Sequence, residues 1–212
     1  LYTAWVGSNF ELEGKKAAAY LKAYAEKKGM SAPKIVDIQG TIGASAQIGR
    51  TKGLEDAVKA ESWNLLEKTT GEFTQAKGQE VMESFLKKYK KDINVVYCEN
   101  DNEAFGAIDA IKAAGYEVGA DKDMMVFSFD STKEGLKKVQ SGEITLNTEC
   151  NPLHGPRVAE IIQKLEKKDT TLEDSFLGYQ EGIELIKFCN QQIDTVEKKI
   201  LVLNEEGEAD EF

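Results

Sequence analysis

Residues 98–115 read CENDNEAFGAIDAIKAAG. The β-branched run INVVYC (93–98) ends where this stretch begins, and Asn100 and Asp101 stand at the turn. An alanine-rich segment with helical spacing then runs to Gly115. A strand that stops on a polar pair and passes at once into a helix is the βα half of a parallel crossover unit. The question is whether the same unit recurs on either side.

It does. Upstream, KIVDIQG (34–40) is a short buried-strand run, GTIGASAQ (40–47) a loop of small residues, and IGRTKGLEDAVKA (48–60) returns to helical period. SWNLLEK (62–68) is the next strand, followed by the helix TQAKGQEVMESFLKKYKK (74–91), with Val81, Met82, Phe85, Leu86 and Tyr89 on one face. Downstream come the strand DMMVFSFD (123–130), the helix TKEGLKKVQSG (132–142) and the strand EITLNTEC (143–150). Strands alternating with helices of this length imply right-handed crossovers. The predicted fold class is therefore α/β, a Rossmann-like parallel sheet with helices on both faces.

The ends differ from the middle. Ser8 and Glu11 are spaced as an S-x-x-E capping box for an opening helix that Gly29 stops. From Asn151 onward the alternation breaks: GPRVAEIIQKLEKK (155–168) is an amphipathic helix and YQEGIELIKFCNQQI (179–193) a second. KKILVLNEE (198–206) reads as a last strand, and EEGEADEF (205–212) as a solvated acidic tail.

A formal charge of −10 argues against nucleic acid as a partner, because nothing here neutralises phosphates in bulk. The KKYKK cluster reads as a solvated helix face. No apolar run approaches the ~20 residues needed to cross a bilayer. Cys98, Cys150 and Cys189 lack C-x-x-C spacing and the chain has one histidine, His154, so neither a zinc site nor a disulfide framework is indicated, and no cofactor motif is present.

In a parallel sheet the ligand sits beyond the carboxyl ends of the strands. Asn100 and Asp130 each close a strand and would project into that crevice, although both residue types are also favoured helix caps. The acid pairs Asp101/Glu103 and Asp121/Asp123 fall at a helix start and in a polar turn, where acids need no catalytic reason. With no nucleophile elbow, P-loop or HExxH, an enzyme is not the reading.

Four stretches, in order, carry a resemblance: GASAQIGRTKGLEDAV (43–58), EFTQAKGQEVMESFL (72–86), CENDNEAFGAIDAIKAAG (98–115) and MVFSFDSTKEGLKKVQSGEITLNTECNP (125–152). Together they resemble the type I periplasmic sugar-binding proteins of ABC importers, the ribose/galactose group, and NTECNPLHGP (147–156) looks most like the galactofuranose-binding branch. The resemblance implies a two-lobed clamshell of which 5–149 is the C-terminal lobe. It implies that 150–196 and the closing strand 197–204 belong with an N-terminal lobe mostly lacking here, WVGSNF (5–10) matching the family just after its first crossover.

It also assigns roles. Arg50 matches a sugar-gripping guanidinium, against the alternative of an exposed helix residue. Phe73 matches an aromatic that stacks on the sugar ring, against core packing. Asn100 and Asp130 match polar ligands, and Glu149, or Asn151 close by, a further hydrogen-bonding side chain at the crossover. The implied partners are a monosaccharide and ABC permease subunits, in an extracytoplasmic setting. The apolar stripe Val158, Ile161, Ile162 and Leu165, without its lobe, implies folding back, a homodimer or a domain swap. The same fold serves as the effector domain of sugar-responsive repressors, which is the alternative function.

Overall fold

The computed structural model describes residues 6–165, 201–203 and 209–211. They divide into two compact units, Leu1–His154 and Gly155–Phe212.

The first unit opens on α1 (Phe10–Lys28), then β1 (Lys34–Gln39), α2 (Ser45–Glu61), β2 (Asn64–Thr70) and α3 (Gln75–Tyr89). β3 (Val95–Cys98), α4 (Asp101–Ala113), β4 (Met125–Asp130), α5 (Lys133–Gln140) and β5 (Leu146–Glu149) complete it. The five strands pair in parallel in the order β2-β1-β3-β4-β5. The chain runs outward from β1 in both directions, so strand order reverses between β1 and β3. The loops leaving their carboxyl ends part there and open a crevice.

Side chains along β1, β3 and β4 alternate between two covered faces, so burial in these strands is nearly continuous. Val96 and Cys98 join Val36, Ile38 and Val126 against Met82, Phe85, Ile108 and Ile111 of α3 and α4. Val95 and Tyr97 join Ile35, Phe127 and Phe129 against Ala17, Leu21 and Leu54 of α1 and α2. The central strand β3 is thus apolar at every position, which is why it reads as an unbroken run rather than as alternation.

One expected detail moves. The cap of α1 is Asn9, whose side chain accepts the Leu12 N–H at 3.1 Å, not Ser8. Ser8 Oγ lies 3.4 Å from Cys150 Sγ instead. Asn caps as well as Ser, and the helix begins one residue later than the S-x-x-E spacing suggests. At the other end Gly29 adopts φ 65° and returns its N–H to Ala25 and Glu26, as a terminal glycine does.

The second unit contains α6 (Gly155–Leu165), with Val158 and Ile162 exposed, and the antiparallel pair β6 (Leu201–Leu203) and β7 (Ala209–Glu211). β6 falls in the expected closing strand. β7 lies within the stretch read as an acidic tail, where backbone pairing with β6 satisfies N–H and C=O groups whatever the side-chain charge. The helix expected over 179–193 lies outside the described residues.

Candidate functional site

Arg50 is the centre of the carboxyl edge. It sits one turn into α2 and is only 2% exposed, so the exposed-helix alternative does not hold. Close contact of α1 and α2 puts it there: a Cβ at Gly53 would stand 2.6 Å from the Gly14 backbone, so only glycines let these helices approach. That approach brings Glu13 of α1 to the guanidinium, Nε donating to Glu13 Oε2 at 3.0 Å. Nη1 donates to the Glu99 carbonyl, and Nη2 to Asp130 Oδ1 at 2.8 Å. The Phe129 and Phe10 rings lie 4.8 and 5.3 Å from the guanidinium carbon, within cation–π range. Burial opposes the charge, but Asp130 and Glu13 outweigh it and hold Arg50 above its ordinary pKa. For Glu13 burial wins over Arg50, and its pKa is raised.

Asp130 ends β4 with φ 91°, and its side chain stays 36% exposed with Oδ1 on Arg50. Glu149, the last residue of β5, is its register partner and is exposed. Asn151 is exposed as well, its Oδ1 accepting the Leu153 N–H at 2.9 Å.

Asn100 proves to be a cap. It is 6% exposed, its Oδ1 accepts the Glu103 N–H at 2.8 Å, and its Nδ2 donates to the Phe73 carbonyl at 3.1 Å. Phe73 is half-buried at φ 59°, its ring lying over Gly40, where any Cβ would collide with it. One connected set of contacts therefore joins Phe73, Asn100, Arg50 and Asp130 at the edge. Phe73, Asp130 and Glu149 keep accessible surface, while Arg50 and Asn100 are buried, each guanidinium nitrogen and Asn100 Nδ2 donating to a protein oxygen.

Beneath the edge is a layer of acids that sequence reasoning missed. Glu99 accepts the Gly40 N–H at 2.8 Å and the Thr51 hydroxyl, and Thr51 in turn accepts from Gln39 and Gln47 at 2.8 and 3.0 Å. Burial pushes the Glu99 carboxyl up to about 7, and that of Glu103 up to about 8. Asp37, in the middle of β1, is fully buried with neither oxygen hydrogen-bonded, and burial next to Glu99 and Glu103 drives its pKa well above the usual range. The available signal was a lone aspartate inside KIVDIQ.

Chemically the edge offers carboxylates, amides and one aromatic face, the equipment for grasping a polyhydroxylated ligand. Among the described residues no group of three His, Cys, Asp or Glu side chains is placed to hold a metal ion. A shallow groove of about 290 Å³ between α1 and α2, lined by Lys15, Lys22 and Trp63 among others, shares no residue with the edge.

A family model described as "Periplasmic binding protein domain" matches residues 2–149, and one described as "Exonuclease VII small subunit" matches 157–202. The chain is 36% identical to the galactofuranose-binding protein YtfQ of Escherichia coli, over 92% of this chain and 60% of that protein. Among solved structures, a Mycobacterium smegmatis protein in complex with β-D-fucofuranose superposes with TM-score 0.70 at 32% identity, covering 77% of this chain and 53% of that one. The binding-protein component of the arabinose ABC transporter from Shewanella sp. ANA-3, bound to L-arabinofuranose, gives TM-score 0.70 at 33% identity with the same coverage. The chain thus spans between half and two thirds of the length of these relatives.

Proposed function

The chain belongs to the periplasmic binding protein domain family across residues 2–149, and from that premise we propose that it binds a monosaccharide at the carboxyl edge of its sheet as part of the substrate-binding component of an ABC-type sugar importer. A furanose or a ribose- or galactose-like sugar is the ligand class. The observation that carries this is the part-exposed Asp130 carboxylate, anchored through Oδ1 to a buried arginine and in register with the exposed Glu149.

In this reading Asp130 accepts from neighbouring sugar hydroxyls, and Phe73 covers the apolar C–H face of the ring. Glu149 and Asn151 supply further polar contacts from the end of β5. Arg50 acts on the ligand chiefly through Asp130, because its three nitrogens are already engaged. Asn100 acts mainly by holding the Phe73 backbone. Binding rather than catalysis is the activity, permease subunits are the macromolecular partners, and the setting is extracytoplasmic. Residues 150–204 would belong with a second lobe, and self-association through Val158 and Ile162 is the alternative cover for α6.

A thermal-shift panel of pentoses and hexoses, including L-arabinose, D-ribose and D-galactose, tests the proposal. The expected result is a stabilising shift with one of them that disappears in Asp130→Ala. No shift with any sugar, or a shift that Asp130→Ala leaves intact, contradicts it.

A further inference from the structure

Two turns present the accessible side chains of the site, and both are backbone-strained. Glu72 and Phe73 have φ 55° and 59°, and Asp130 and Ser131 have φ 91° and 51°. Consecutive non-glycine residues at positive φ persist only where the surroundings hold them. In both cases the holding groups centre on the start of α4, with Asn147 of β5 added on the Asp130 side.

Asp101 is 1% exposed and accepts four hydrogen bonds on its two oxygens. Oδ1 takes the Ser128 hydroxyl and Asn147 Nδ2, each at 2.6 Å. Oδ2 takes the Thr132 N–H at 2.8 Å and the Thr132 hydroxyl at 2.6 Å. Asn147, oriented by Asp101, uses its own oxygen to accept the Ser131 N–H at 3.1 Å. The two peptide N–H groups that follow Asp130 are therefore both gripped by this pair. On the other side Glu103 Oε1 accepts the Phe73 N–H at 2.9 Å while Asn100 Nδ2 donates to the Phe73 carbonyl, so that residue is held at both ends. Space is fixed too: a Cβ at Gly71 would stand 2.7 Å from Glu103 Oε1. An acid serving only the helix dipole would need no such donors and would remain in water.

We propose that Asp101 and Glu103 are positioning residues, Asp101 with Asn147 fixing the turn that presents Asp130 and Glu103 with Asn100 fixing the turn that presents Phe73. This rests on the carbohydrate reading for its purpose but not for its geometry. One helix start then sets the spacing between a carboxylate and an aromatic plate at the edge, and fixes it before a ligand arrives, which lowers the ordering cost of binding.

The test is residue-resolved amide hydrogen exchange, measured by NMR on the full chain without sugar. Asp101→Asn replaces an acceptor by an amide that faces donors. The Ser131 and Thr132 amides should then exchange faster by about tenfold, the counterpart of one lost hydrogen bond to a charged group, while Phe73 is unchanged. Glu103→Leu should give the mirror result, exposing Phe73 and sparing Thr132. Glu103→Gln, which keeps an acceptor, should restore Phe73, and Asp101→Asn combined with Asn147→Asp should restore Thr132. If Asp101→Asn does not fold, Ser128→Ala, which removes one of the four donors, must show the same selectivity at smaller size. Equal acceleration on both sides, or none, in folded Asp101→Asn, Ser128→Ala or Glu103→Leu overturns the proposal, since a merely structural role would not choose a side. L-Arabinose, D-ribose and D-galactose titrated in turn into the unaltered chain separate the two ideas. Selective exchange without a response to any of the three supports the positioning role and removes the carbohydrate reading, whereas a response at Asp130 to one of them with unselective exchange does the reverse.

Discussion

Arg50 carries a full charge into the interior, and its worth lies in what it leaves behind when removed. Arg50→Met strands Glu13 and frees Asp130, with an expected loss of about 3 kcal/mol in urea unfolding; the figure sits at the lower end for a broken buried pair because Asp130 is 36% exposed and water screens it. A loss below about 1 kcal/mol, the range of an exposed pair, would contradict the geometry. Arg50→Lys should recover little, since an ammonium cannot reproduce a three-way fork. The buried acids set the pH response. In the unfolded chain Glu99 and Glu103 titrate near the ordinary value of about 4.3. Folding raises them to about 7 and about 8, so the folded chain retains protons across this interval. Their contribution to stability is full below the unfolded pKa and is lost as pH rises through the folded values, and Asp37 acts in the same direction. Melting temperature should fall by several degrees from pH 5 to pH 8.5, and Glu103→Gln, fixed in the neutral form, should flatten that slope; a rise in the same interval would refute the assignment. At this scale residue type was legible in the sequence but burial was not. Arg50 stands out in GRTKG, yet what buries it are Glu13 and Asp130, 37 and 80 positions away.

The elements themselves were readable because each carries its own period. Strands β3 and β4 are apolar on both faces, and α3 places Val81, Met82, Phe85 and Leu86 on one side, so local pattern and tertiary role agree. Where two signals overlapped, at Ser8 and Asn9, the cap moved by one residue. The crossing of α1 and α2 was not legible, because glycine in a helix looks like a weakness until its neighbour is known. Gly53→Ala should raise intrinsic helix propensity by about 1 kcal/mol yet still destabilise the protein. Its Cβ would meet backbone of α1 at 2.6 Å, a clash no rotamer change relieves, and overpacking of this kind costs about 1–3 kcal/mol. Chemical denaturation should show a net loss, and a gain would mean that the helices are free to separate. The same variant should push Glu13 off Arg50, so Gly53 belongs to the electrostatics of the edge as well as to the packing beneath it.

For the whole molecule, the strand order β2-β1-β3-β4-β5 decides where function can lie, because only one edge has loops diverging from adjacent strands. The order follows from right-handed crossovers, but which strands become neighbours is a non-local outcome that alternation alone does not dictate. The carboxyl edge of the sheet can supply contacts from one side. A neutral hydrogen bond nets ~0.5–1.5 kcal/mol before ordering costs, so a handful of them should leave this chain with sugar affinity no tighter than about millimolar. Calorimetry giving micromolar binding by a verified monomer would show that a single edge suffices. The most direct test of the central claim is a two-dimensional NMR titration of the chain with L-arabinose and D-galactose at tens of times the expected dissociation constant. Shifts for at least one sugar should cluster at Phe73, Asp130, Glu149 and their loop neighbours and vanish in Asp130→Ala; shifts confined to the α1–α2 groove, or none at these concentrations, would contradict carbohydrate binding at the edge.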